Sequence, residues 1–99
     1  MSIQVKVDIG YTSGSIKFYE RYKEAFGEVI SAEMVANPEE IDYTLTLKNK
    51  YDEELVFCGG LTSGYSGEGC RGTKKVLKLA GFEVTDEFIS NNVSFKLTK

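Results

Sequence analysis

Ile41-Asp42-Tyr43-Thr44-Leu45-Thr46-Leu47-Lys48 sets four apolar side chains on one face and four polar ones on the other. A strict period of two is the signature of a strand with one face buried. Strand-like stretches flank it. Val29 to Ala36 carries Ile30, Ala32 and Met34 on one face, and Glu54 to Gly59 sets Leu55 and Phe57 opposite Val56 and Cys58. Asn37-Pro38-Glu39-Glu40, which holds the only proline, and Asn49-Lys50-Tyr51-Asp52 are turns. Three strands joined this way make an antiparallel meander. The last of them is apolar on both sides, as a central or doubly covered strand would be.

Outward from the meander the pattern changes. Ile3, Val5, Val7 and Ile9 alternate with Ser2, Gln4, Lys6 and Asp8, so the chain opens on another strand. Gly10 to Ser15 is a loop in which Ser13 or Ser15 can cap a helix. From Ile16 to Phe26 the period becomes helical: Phe18, Tyr19, Tyr22, Ala25 and Phe26 share a face with Ile16 at its edge. Lys17, Glu20, Arg21 and Glu24 take the other face, and Gly27 suits the stop. An aromatic stripe at this spacing is core rather than a base-stacking platform.

The spacing predicts a second helix over Thr73 to Ala80, with Val76, Leu77 and Ala80 inward and Gly81 after its end. Thr85 to Ser90 can add one more turn, with Thr85 as N-cap and two acids behind it, and Asn91-Asn92 stops it. Val93, Phe95 and Leu97 alternate with Ser94, Lys96 and Thr98 in a last strand. The order β-α-β-β-β-α-β gives one α+β domain over residues 1–99. Its architecture is a two-layer sandwich, a mostly antiparallel five-stranded sheet with two helices on one face. Such a sheet leaves edges and a flat polar face, which makes room for a homodimer.

Composition narrows the chemistry. The chain has 99 residues, 41% hydrophobic and 27% charged, as a globular domain would. It has no apolar run long enough to span a membrane and no signal-peptide layout at its N-terminus, so a cytoplasmic location with no membrane partner is expected. There is no histidine, which removes every Ser-His or Cys-His mechanism. Two cysteines cannot supply a structural zinc site without histidine, and Cys58–Cys70 bonding is not expected in the cytosol. Asp52-Glu53-Glu54 and Asp86-Glu87 read as solvated turn acids rather than paired catalytic carboxylates. We expect no metal, no cofactor and no catalytic residues. A net charge of −3 argues against nonspecific nucleic-acid binding.

The charge is uneven. Leu61 to Gly81 holds four cations (Arg71, Lys74, Lys75 and Lys78) and one acid (Glu68), a segment of +3 on a remainder of −6. Six of the ten glycines fall in the same region, from Gly59 to Gly72. Glycine lets successive N–H groups converge, and a helix N-terminus adds unpaired N–H groups and a positive dipole end. The candidate ligand-binding residues are therefore Gly64, Tyr65, Gly67, Glu68, Gly69, Arg71, Gly72, Thr73, Lys74 and Lys75. Arg71 can fork onto a phosphate or carboxylate, the two lysines can act as point charges, and Tyr65 can stack on a ring.

Known templates fit poorly. Gly67-Glu68-Gly69-Cys70-Arg71-Gly72 matches the dinucleotide fingerprint, but after the last meander strand rather than the first strand of a parallel unit. No Walker A pattern is present. The leading expectation is a non-enzymatic module that holds a small phosphorylated ligand, a nucleotide or nucleotide-derived signal, to sequester or sense it. The alternative is a protein-interaction module that turns the loop and basic helix on an acidic protein. A third reading makes Cys70, beside Arg71 at a helix start, a nucleophile. Against it, an incidental small residue in a turn explains Cys70 as well, and Cys58 reads as a small core hydrophobe.

Overall fold

A computed structural model describes residues 3–37, 39, 42–64 and 67–99. The elements are β1 (Gln4–Gly10), α1 (Thr12–Phe26), β2 (Val29–Asn37), β3 (Asp42–Asn49), β4 (Glu54–Gly59), α2 (Glu68–Leu79), α3 (Asp86–Asn91) and β5 (Phe95–Thr98). The five strands form one sheet in the order β1-β4-β3-β2-β5. Every neighbouring pair is antiparallel except β1 and β4, which run parallel. The fold is thus α+β with a mostly antiparallel sheet, as the alternation implies. The meander β2-β3-β4 is present, and β4 lies inside the sheet. The expected turn at 37–40 and the first strand residue Ile41 fall partly outside the described residues.

The registers explain why alternation was informative. Val5, Leu55, Leu47, Ala32 and Leu97 are successive partners across all five strands. Val7, Phe57, Leu45, Met34 and Phe95 form the adjacent row. These two rows belong to the core, on which Tyr19, Phe26, Val76, Leu77 and Ile89 of the helices also lie. Each fully buried Leu, Met or Phe in these rows gains about 1.5–3 kcal/mol from leaving water, and this is what fixes the register. The other face carries Lys6, Thr46, Glu33 and Lys96 around Val56, which is itself only 6% exposed. Cys58 sits on that face opposite Thr44, half-buried, so it is not the core residue expected. Both cysteines are free.

Several boundaries move for identifiable reasons. Helix α1 starts at Thr12, four residues before Ile16, and neither Ser13 nor Ser15 caps it. Ser15 is instead buried inside the first turn and donates to Tyr11 O at 3.0 Å. Gly14, a residue that discourages helix, is kept there by packing: a Cβ would strike Ile9 and the Tyr11 ring. Ala25, expected inward, is exposed. In β2 a register shift between Val29 and Ser31 buries Val29 and leaves Ile30 39% exposed, so Ile30 leaves the expected inward face while Ala32 and Met34 keep it. The last strand begins at Phe95, and Val93 is exposed ahead of it. The extra turn after Thr85 forms as α3, with Thr85 Oγ1 accepting from Phe88 N at 3.0 Å.

Among the described residues, no helix is long and apolar enough to cross a membrane. Tyr19 is 1% exposed and packs edge-on to Phe57. Burial pushes its phenol above the ordinary value of 10.0. The folded state therefore prefers the neutral phenol. Its contribution to stability is complete below the unfolded tyrosine pKa and is lost as pH rises through the folded value. Thermal melts are expected to fall more steeply above about pH 10 for the wild type than for Tyr19→Phe. Parallel curves would remove Tyr19 from the alkaline transition.

Candidate functional site

The glycine-rich segment leaves β4 and enters α2 at the end of the sheet where α1 also begins. Gly60 has φ +77, a region that favours glycine. A Cβ there would lie 2.9 Å from the carbonyl of Tyr11, and Gly60 O accepts a 2.6 Å bond from Thr12 Oγ1. Gly64 has φ +85, and its N–H donates to Ile89 O at 2.8 Å while its Cα faces Val93. Thr62 N donates to Gly69 O at 3.2 Å, and Ser63 Oγ donates to Val93 O at 2.6 Å. The loop is thus stapled to α2 and to the segment after α3. The amides of Thr62 and Gly64 face protein acceptors, not solvent.

Helix α2 begins at Glu68, five residues before Thr73, with Gly67 as an N-cap that offers no side-chain bond. The two glycines inside it sit where the helix touches its surroundings. A Cβ on Gly69 would overlap Thr62, and one on Gly72 would overlap Thr12 of α1 and reach 3.2 Å from Leu61 Cδ2. Tertiary packing therefore overrides their poor helix propensity. Thr73 is fully buried, its hydroxyl 2.7 Å from Thr62 O and 3.1 Å from Gly69 O. Cys70 is buried as well, its sulfur 3.5 Å from Thr62 Oγ1.

The ten expected site residues accordingly separate. Gly72 and Thr73 pack inward. Gly64 and Gly69 hold the loop against its neighbours. Tyr65 lies outside the described residues. Glu68 is an exposed acid in the first turn, where it complements the helix dipole, and it makes no ion pair with Arg71. Because the helix starts early, Arg71 only closes its first turn, and Lys74 and Lys75 lie beyond it. With Lys78 they follow the spacing i, i+3, i+4, i+7, which confines them to an arc of about 100° and a length of about 10 Å.

This basic stripe is the densest run of cations in the sequence from Leu61 to Gly81. Arg71, Lys74, Lys75 and Lys78 surround Leu79 along an open groove of about 640 Å³. Lys74 pairs with Asp86 at the start of α3, 3.2 Å away. Among the described residues no carboxylate lies within ion-pair distance of Arg71, Lys75 or Lys78. Val76, Leu77 and Thr73 on the opposite side anchor the helix in the core, so the cations stand on a fixed support. Lys78 was outside the expected set, although its i+7 spacing from Arg71 was readable.

A smaller pocket of about 120 Å³ lies at the N-terminus of α2 between Gly67, Cys70, Arg71, Asp86, Ile89 and Ser90. Arg71 N donates to Gly67 O at 3.0 Å, and the amides ahead of it have no intrahelical acceptor. Asp86 lines the same pocket and opposes an anion there. Among the described residues, no three His, Cys, Asp or Glu side chains gather as metal ligands would. No protein-family model matches the chain, and neither do the curated proteins or the solved structures searched.

Proposed function

We infer that the protein is a non-enzymatic binding module whose α2 face takes an anionic partner, and that this partner is an acidic protein surface. The observation that carries the reading is the stripe Arg71-Lys74-Lys75-Lys78, outward on a helix anchored by its other face. An elongated row of point charges suits several carboxylates in a row, and such charges speed and orient encounter more than they tighten it. Leu79 in the same groove supplies an apolar contact. An inhibitor or regulator acting by occlusion would need nothing more.

A small phosphorylated ligand, nucleotide or nucleotide-derived, is the second reading. The free amides at the start of α2 and the adjoining Arg71 support it. The pocket there is about 120 Å³, below the roughly 300 Å³ at which ligand sites begin. It could grip a phosphate but not enclose a base.

Calorimetry with an oligo-glutamate peptide and with a nucleotide panel separates the two. The first reading expects heat with the peptide, weakening as salt rises, and a loss of about tenfold in affinity for Lys75→Glu and again for Lys78→Glu. Heat from a nucleotide that survives both substitutions transfers the site to the N-terminus of α2. Absence of heat from every probe removes anion binding altogether.

A further inference from the structure

Strand β1 is a seven-residue sheet edge, because β4 pairs only one of its sides. Ile3 O accepts from Glu54 N at 2.8 Å, so Ile3 and its alternates Val5 and Val7 turn their backbone groups toward β4. Gln4, Lys6 and Asp8 turn theirs outward. The register on β4 shifts between Val7 and Gly10, which confines the regular edge to residues up to about Asp8. Beside this edge, on the helix-bearing side, runs a groove of about 440 Å³. Ile9, Tyr11, Phe18 and Tyr22 line it, with Lys17 and Arg21 at its rim. Tyr11 is 62% exposed there. Natural sheets rarely leave a long apolar edge beside an apolar groove uncovered.

We propose that the occupant is a second copy of this chain, joined β1 to β1 in antiparallel fashion about Val7. The phase of the backbone allows this register, since Lys6 and Asp8 both present outward amides and carbonyls. Lys6 of each copy then lies opposite Asp8 of the other, and the two Val7 residues meet as the closer, non-hydrogen-bonded pair. The charges of the edge are thus complementary to themselves. Only one step away, centred on Lys6, two lysines would face each other. The same twofold sets the α1 helices side by side and antiparallel over the seam. The end carrying Lys17 on one copy approaches the end carrying Glu24 on the other, and the aromatic grooves close on each other. The sheet becomes ten strands, with its two basic α2 stripes one on each half.

The test is sedimentation equilibrium of the intact chain with a charge swap. The wild type is expected at twice 11.0 kDa. Asp8→Lys and Lys6→Asp should each raise the dissociation constant by about tenfold, since each sets like charges opposite one another twice. The double variant Lys6→Asp/Asp8→Lys should restore it. Lys6 and Asp8 are exposed, so folding is preserved, and circular dichroism checks this. Hydrogen exchange gives a second reading without substitutions: the amides of Lys6 and Asp8 should become protected as concentration rises. A wild type that stays monomeric at millimolar concentration, a double variant no tighter than the singles, or edge amides unprotected in the associated state each overturns the proposal. A monomer that instead takes an extended peptide along β1 overturns it in favour of strand addition.

Discussion

Asn49→Ala is expected to lower the stability of the fold by about 2–4 kcal/mol, one of the largest effects open to a single polar residue here. The side chain is completely buried at the end of β3. Its Nδ2 donates to Phe26 O at 2.7 Å and to Glu53 Oε1 at 2.9 Å. Its Oδ1 accepts from Tyr51 N at 3.0 Å and from Glu53 N at 2.9 Å. One amide thus ties the end of α1 to the β3–β4 turn, where Asp52 adopts φ +65. Alanine leaves a buried carbonyl and two amides to find water or go unpaired. Urea melts should show the loss, with a fall in Tm of roughly 4–8 °C per kcal/mol for a domain of this size. Asn49→Asp keeps the acceptors but sets a carboxylate against Phe26 O and Glu53, so it should be no milder. A loss under about 0.5 kcal/mol for either would mean the turn is held by other bonds.

Gly72→Val is the second large effect, expected to cost about 1–3 kcal/mol through overpacking. In an ordinary exposed helix, replacing glycine by alanine gains up to about 1 kcal/mol. Here the sign reverses. The new Cβ overlaps Thr12 Cγ2, and Thr12 cannot turn away without giving up its 2.6 Å bond to Gly60 O. The clash is therefore felt at both helices and, through Gly60, at the segment between β4 and α2. Thr12→Ser removes the offending methyl and keeps the hydroxyl. Gly72→Ala should destabilise the wild type but be neutral or stabilising in the Thr12→Ser background. If Gly72→Ala stabilises both backgrounds equally, the contact between α1 and α2 is looser than the geometry requires.

Those two residues also mark where the sequence stopped being readable. The meander was legible because each of its strands lies between neighbours that share its alternation: Leu45 faces both Met34 and Phe57. The starts of α1 and α2 were not, because Gly14, Gly69 and Gly72 lower local helix propensity. Their justification lies in Tyr11, Thr62 and Thr12, contacts that no local pattern reveals. Asn49 looked like a turn former and is one, but its burial depends on α1 packing over the turn. At the candidate site the cations were legible as a cluster. Their position along α2 was not, since it follows from where the helix begins. The glycines were legible as a run, but the packing of Gly69 against Thr62 and of Gly72 against Thr12 was not.

The parallel pairing of β1 with β4 has a consequence for how the chain is made. Gln4 pairs with Glu54 and Val7 with Phe57, partners fifty residues apart. The meander closes over short turns, but β1 must close a loop that contains α1, β2 and β3 first. During synthesis β1 leaves the ribosome before its partner exists. At about 5–20 residues per second it waits for roughly 2.5–10 s. Throughout that interval both of its sides are bare, and a chaperone or a neighbouring nascent chain has its first opportunity there. Of the five strands of this sheet, the first to be made is thus among the last to find its place.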